Sequence, residues 1–346
     1  MYTFLRGRVK HCTFVLATVS AFTLLGMPSA RVNGTALRQP APLEIGSIAG
    51  ARSLGFSWVS ATEAMIWSMD PASSVGSDMF LRNVADGSQV NLTRWSSLPD
   101  ARPSSISFAS RYGAWMVPGS GSPSSELRWM YIDGIKPHAA KLEDGDVWYG
   151  PVWIGKGVHA QMVVFSRSGS GAVRAFEPGS DSPVFERDFD YGTNDQRNVS
   201  SLVGLIGAAA DGTVIGIGLA GHNRSRPRVV QARLTETYFY TSAYSAILPA
   251  DMVFCDAALC GDKVAWMLER PDAQAKWTAP IAAGEYQLWS SDLNGSRFEP
   301  ILLLPAGPSI EDSPAMYNRP CLLQARPDGT AVSYVQNAKV YLVPLK

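Results

Sequence analysis

Net charge is the first thing this sequence lacks: 30 Lys+Arg balance 30 Asp+Glu over 346 residues, and only 17% of its residues are charged. An average soluble domain carries about 25%. A neutral chain has no electrostatic reason to seek nucleic acid or an anionic membrane. With 46% hydrophobic residues it is not a disordered chain either. Histidine is scarce, at four residues, which excludes a His-rich metal centre. Catalytic signatures are missing too: there is no Gly-x-Ser-x-Gly elbow, no His-Glu-x-x-His and no Gly-rich phosphate loop. Asp188, Asp190, Gly192 and Asn194 are spaced like the start of a calcium loop, but the twelfth position is Val199 where a bidentate Glu belongs. No catalytic residue, metal or cofactor is therefore assigned.

Long apolar runs are also lacking, with one exception. Arg6, Arg8, Lys10 and His11 precede an apolar stretch from Cys12 to Leu25, and small residues follow at Gly26-Met27-Pro28-Ser29-Ala30. That order is a secretory signal peptide, residues 1–30. The run falls short of the about 20 residues of a membrane span, although an uncleaved anchor is the competing reading. The expectation is a secreted or periplasmic chain, starting near Arg31 or Leu37, with no membrane span after signal removal. Residues 31–346 then form a single domain, expected as a monomer.

Cysteine is sparse, at four residues. Export permits disulfides, and Cys255, Cys260 and Cys321 remain beyond the leader. An odd number leaves at least one thiol free or shared between chains. Cys255 reaches either Cys260, five residues on, or Cys321 on a neighbouring strand. Burial as three small hydrophobes is the equal alternative.

What is abundant is turn chemistry, Gly 31 and Pro 23, set between short apolar strands. One strand type recurs: 64–69, 112–117, 161–166, 213–218, 263–268 and 330–335. The fourth residue of each falls at 67, 115, 164, 216, 266 and 333, spaced 48, 49, 52, 50 and 67. The last step is long because a Pro- and Ala-rich insertion occupies 270–284. Each unit also carries Asp-Gly or Asn-Gly turns, such as Asp86-Gly87, Asp133-Gly134 and Asn294-Gly295. Such pairs favour tight hairpins in which both central residues take positive φ. Four antiparallel strands in about 50 residues, repeated radially, make a propeller blade. The fold class is all-β: a six-bladed β-propeller with four-stranded antiparallel blades. The last unit stops after its third strand, 338–345, and residues 42–48 have no other partner. The N-terminal strand is therefore expected to close the last blade, which removes a sheet edge.

The segment Asp78-Met79-Phe80-Leu81-Arg82-Asn83-Val84-Ala85-Asp86-Gly87-Ser88-Gln89-Val90-Asn91-Leu92-Thr93 resembles the propeller repeat of TolB-like proteins. Residues 284–296 are similar to the same repeat, and Arg326-Pro327-Asp328-Gly329 to its strand-connecting turn. The α/β domain that precedes the propeller in TolB itself is missing. The resemblance implies a bacterial, exported, six-bladed propeller that binds other proteins or envelope components.

Trp67, Trp115 and Trp266 occupy the repeated strand and are read as wedges between blades. Aromatics outside the repeat are the candidates for a partner-binding face: Trp148, Tyr149, Tyr240 and Trp277. A basic cluster, His222, Arg224, Arg226 and Arg228, suits a carboxylate, a phosphate or an acidic patch, unless it is a solvated loop. The leading functional expectation is an exported binding module or scaffold, joined to another protein of the bacterial envelope or exterior. The alternative is an exported carbohydrate-active hydrolase or lyase that uses acidic residues in the axial funnel.

Overall fold

The computed structural model describes residues 41–345 apart from 52, 69–78, 93–105, 110, 119–124, 135, 143–147, 155–159, 167–171, 189–200, 210–211, 220–223, 235–238, 250, 271–284 and 305–319. The chain divides into Met1–Arg38 and Gln39–Lys346, and every described residue belongs to the second unit. The signal-peptide reading thus lies outside the described residues, as do Asp190, Gly192, Asn194, His222 and Trp277.

Strand β1 is Leu43–Ser47. Blade 1 follows as β2 (Leu54–Trp58), β3 (Glu63–Ser68), β4 (Met79–Asn83) and β5 (Gln89–Asn91). Blade 2 is β6 (Ser107–Ala109), β7 (Tyr112–Pro118), β8 (Ser125–Tyr131) and β9 (His138–Lys141). Blade 3 is β10 (Trp148–Ile154), β11 (Gln161–Ser166), β12 (Ala172–Phe176) and β13 (Phe185–Asp188). Blade 4 is β14 (Ser201–Ala208), β15 (Thr213–Leu219), β16 (Pro227–Leu234) and β17 (Phe239–Ser245). Blade 5 is β18 (Val253–Cys260), β19 (Lys263–Arg270), β20 (Glu285–Asp292) and β21 (Glu299–Leu304). Blade 6 holds β22 (Cys321–Ala325), β23 (Ala331–Gln336) and β24 (Lys339–Pro344), with β1 as its fourth strand. β1 pairs antiparallel with β24, from Leu43 opposite Leu342 to Ser47 opposite Lys339.

The first strands of the blades touch in order, β2 to β6, β10, β14, β18 and β22, and β22 touches β2. They form the inner ring of a six-bladed propeller. Six apolar clusters fill the six spaces between neighbouring blades. This explains the recurrent strand. The second strand of each blade is interior to its sheet and covered on both faces, so β15 and β23 are buried at every residue. Such a strand reads as a continuous apolar run with no polar alternation.

The phase of the repeat needs correction in two units, the first and the sixth. Counted from the observed strand starts, the equivalent residues are Ile66, Trp115, Val164, Gly216, Trp266 and Tyr334. Each of these that belongs to a cluster faces the preceding blade. Trp67 is one residue later and faces blade 2 instead. Its indole lies over Gly55, directly opposite on β2. A Cβ at Gly55 would sit 2.0 Å from the Trp67 ring, so only glycine admits that ring. All three tryptophans are buried between blades, as expected.

The turns differ from the expected hairpin type as well. Gly87, Gly295 and Gly329 take φ of 74°, 71° and 72°, while Asp86, Asn294 and Asp328 do not enter the left-handed region. Instead the side-chain oxygen of each accepts the N–H two residues on, from Ser88 at 2.8 Å, Ser296 at 3.0 Å and Thr330 at 3.0 Å. The following hydroxyls donate to the same oxygens at 2.6, 2.6 and 2.7 Å. These are Asx turns, in which a short polar side chain replaces part of the backbone turn. The Ser88 hydroxyl, and then its N–H, hold the Asp86 carboxyl below the usual carboxylate range.

Candidate functional site

Strand direction decides which residues can share a face. First strands begin, and second strands end, at the face where inter-blade loops emerge. Trp148, Cys255 and Cys321 open β10, β18 and β22, and Arg224 and Arg226 precede β16, so all five lie at that face. Tyr240 is the second residue of β17 and lies at the opposite end of its blade. The structure does not bring it to the others. Trp148 is 5% exposed and packs between blades 2 and 3. The Arg174 guanidinium covers its ring at 4.8 Å, a cation–π contact, while Arg174 Nε donates to Glu186 at 2.7 Å. Trp148 is thus a core side chain. Tyr149 pairs with Phe165 in the β10–β11 ladder.

The basic cluster disperses. Arg224 clasps the Phe254 peptide: its Nε donates to the carbonyl at 2.7 Å, and its own carbonyl accepts the Phe254 N–H at 2.9 Å. This strut carries blade 4 onto blade 5. Arg224 Nη2 also lies 3.3 Å from Cys255 Sγ and 3.6 Å from Glu269 Oε2. Glu269 is nearly buried and accepts the Tyr286 hydroxyl at 3.2 Å and the Cys255 thiol at 3.5 Å. Arg228 alternates with Val229, which faces blade 5, so Arg228 turns toward blade 3. Arg226 stays exposed, as does Ile247 at 81% in the loop between blades 4 and 5; the two flank the bond from Ala246 N–H to Pro227 O.

Next to this network stands a carboxyl that the sequence reading passed over, Asp256. Along β18, Phe254 and Ala257 face blade 4, whereas Cys255 and Ala258 face blade 6. One residue is inserted between the two alternations, and the ladder slips between Phe254 and Asp256. That bulge aims the Asp256 carboxyl at blade 6. Oδ2 accepts the Leu323 N–H at 2.9 Å and Oδ1 the Ala257 N–H at 2.8 Å. β22 is bulged at the same level, between Cys321 and Gln324. There Leu322 holds φ of 55°, a left-handed conformation that bulky residues rarely adopt. Bulges and backbone outliers concentrate near functional sites.

Burial pushes the Asp256 carboxyl up to about 6, against the two backbone N–H bonds that lower it. Burial also raises the thiols, Cys255 and Cys260 to about 12 and Cys321 to about 11; Glu269 adds to the first and Asp256 to the last. All three are free thiols, and thiols this weakly acidic are not nucleophiles. A lone acid in the apolar stretch Val253-Phe254-Cys255-Asp256-Ala257-Ala258-Leu259-Cys260 was the signal available in the sequence.

No protein-family profile matches the chain, and no curated protein matches it. Among solved structures, the chain is similar to a protein assigned as TolB from Agrobacterium tumefaciens, at 12% identity and a TM-score of 0.51, covering 85% of this chain and 90% of that one. It is also similar to a protein assigned as a 6-phosphogluconolactonase from Bacteroides uniformis, at 13% identity and a TM-score of 0.46, covering 83% and 79%. The first likeness is one of fold alone, and it agrees with the TolB-like propeller expected from the repeats.

Proposed function

We propose that this chain is an exported binding module of the bacterial envelope or exterior, which captures another protein on the face where the inter-blade loops open. One observation carries the reading. Ile247 and Arg226 stand exposed together on loops whose backbone is fixed, by Ala246 N–H to Pro227 O at 3.0 Å and by the Arg224–Phe254 clasp. An exposed aliphatic beside an arginine on a rigid scaffold is the composition of a recognition surface. The hydrolase or lyase alternative requires two converging acids. Among the described residues of this side, Glu269 is tied to Arg224 and Tyr286, which leaves Asp256 without an acidic companion.

The test is a pull-down from envelope extract with residues 31–346, beside the same protein carrying Ile247→Asp and Arg226→Glu. Both positions are exposed, so equal thermal unfolding is expected for the two. A protein retained by the first and lost by the second supports the reading. Equal retention by both, or none by either, sinks it.

A further inference from the structure

Among the described residues, three junctions of the inner ring hold the next blade's backbone through a side-chain acceptor; at blades 6 and 1 the Gln324 amide oxygen accepts the Trp58 N–H at 3.3 Å. At blades 1 and 2 the Ser57 hydroxyl oxygen accepts the Phe108 N–H at 3.0 Å. At blades 5 and 6 the acceptor is Asp256. A neutral hydroxyl is enough for the structural task, so the charge at position 256 exceeds what the ring needs. Asp256 is half-buried, and lodging a charge there is costly unless something opposite pairs with it. Glu269, on the same blade, has Arg224 for this purpose. Among the described residues no cation acts on Asp256. Its chemical neighbours are the thiols of Cys255 on β18 and Cys321 on β22, and the Arg224–Glu269 pair lies beyond Cys255.

We propose that Asp256 is a binding carboxylate for an organic cation, the ammonium or guanidinium of a lysine or arginine side chain, entering the inner ring between blades 5 and 6. The two main-chain N–H bonds fix the carboxylate, each oxygen keeps a second lone pair, and the β18 bulge turns it toward blade 6, where it accepts the Leu323 N–H. A planar, preorganised acceptor of this kind suits a charge-assisted bond. The inference rests on the binding-module reading and adds to it the chemistry of the partner: a basic segment, not an acidic one. Because protonation discharges Asp256, occupancy rises with pH through the range where that carboxyl titrates, near 6.

The Leu323 and Ala257 amides donate to the two carboxylate oxygens, so their 1H–15N resonances report the site directly. The experiment titrates the intact protein with N-acetyl-lysine amide and N-acetyl-arginine amide, and with N-acetyl-glutamine amide as the neutral control. At about pH 7.5, with Asp256 ionised, saturable shifts of both amides are expected with at least one cationic probe and none with the glutamine probe. Apparent affinity is expected to fall roughly tenfold or more at about pH 4.5, where the carboxyl is protonated. It should fall similarly in Asp256→Asn and in Asp256→Ser, which copies the acceptor of blade 1. Saturation that is unchanged in both variants, or equal shifts from the neutral probe, or none from either cation, overturns the proposal. The pull-down above does not use this site's amides, so a retained partner together with unmoved amides refutes the cation site alone.

Discussion

The junction of blades 1 and 2 and the junction of blades 5 and 6 meet one requirement with different groups. Each must hold the neighbouring inner strand through an N–H that its own ladder does not satisfy. At the first, β2 and β6 run in unbroken register and Ser57, 3% exposed, is acceptor enough. At the second, both inner strands are bulged, Leu322 is left-handed, and the acceptor carries a charge. The comparison separates what the propeller needs from what this propeller has added. A regular strand and a hydroxyl suffice for the ring. Bulges alone do not set blades 5 and 6 apart, since the inner strands β10 and β14 carry them too; the carboxylate at this junction does, and that is where its chemistry is to be sought.

Three measurements break or sharpen this contrast. The largest effect comes from the apolar frame that every junction shares. Trp115 is 1% exposed between blades 1 and 2, and Trp115→Ala is expected to cost about 3–5 kcal/mol in denaturant unfolding. A loss below about 1 kcal/mol would mean the wedge collapses without a cavity. Next is pH. Asp256 titrates near 6 in the folded chain and near 3.8 otherwise, so the native state binds the extra proton between those values. Stability contributed by this group is therefore complete below pH about 4 and is lost as pH rises through about 6, on the order of 2–3 kcal/mol in total. Unfolding of Asp256→Asn across the same window should lack that slope, whereas Ser57→Ala should keep it. A slope that survives in Asp256→Asn assigns it elsewhere. Smallest is Ser57→Ala itself, which removes the acceptor of the Phe108 N–H and should cost about 1–2 kcal/mol at every pH. The converse swap, Ser57→Asp, should import a new loss of stability at neutral pH into a junction that had none.

Much of this fold was legible in the residues because it is repetitive. Six apolar runs, each followed by turn chemistry, can bury their faces only by stacking radially, and the orphan 42–48 had no partner but the last unit. The phase of the runs was not legible, for a physical reason. A strand covered on both faces carries no polar alternation, so Trp67 could be aligned with Trp115 although the two face opposite neighbours. The turns were placed correctly and typed wrongly, since Asp86 and Asn294 serve through their side chains, not through positive φ. Of the candidate site, Arg224 and Arg226 were visible as a basic run, though not that Arg224 is spent on the Phe254 peptide. Trp148 looked like an outlier of the repeat and is a core residue under Arg174. Asp256 was invisible as a site because its environment is made by a one-residue insertion in β18 and an N–H from a strand 67 residues away. Neither has a local signature.

The pairing of β1 with β24 has a consequence for how the molecule is assembled in time. Leu43 meets Leu342 across nearly the whole length of the chain, and contacts of that separation are slow to form because the intervening loop must first be closed. Blades 1 to 5 draw their four strands from consecutive stretches and can mature in the order of synthesis. Blade 6 cannot, since its outer strand is made first and its other three last. Until they meet, β24 keeps an unsatisfied edge, the kind that recruits strands from other chains. A nascent chain of this protein therefore passes through a stage in which five-sixths of the ring is complete and one edge is adhesive. The interval before β1 docks is when it most needs protection from its own copies.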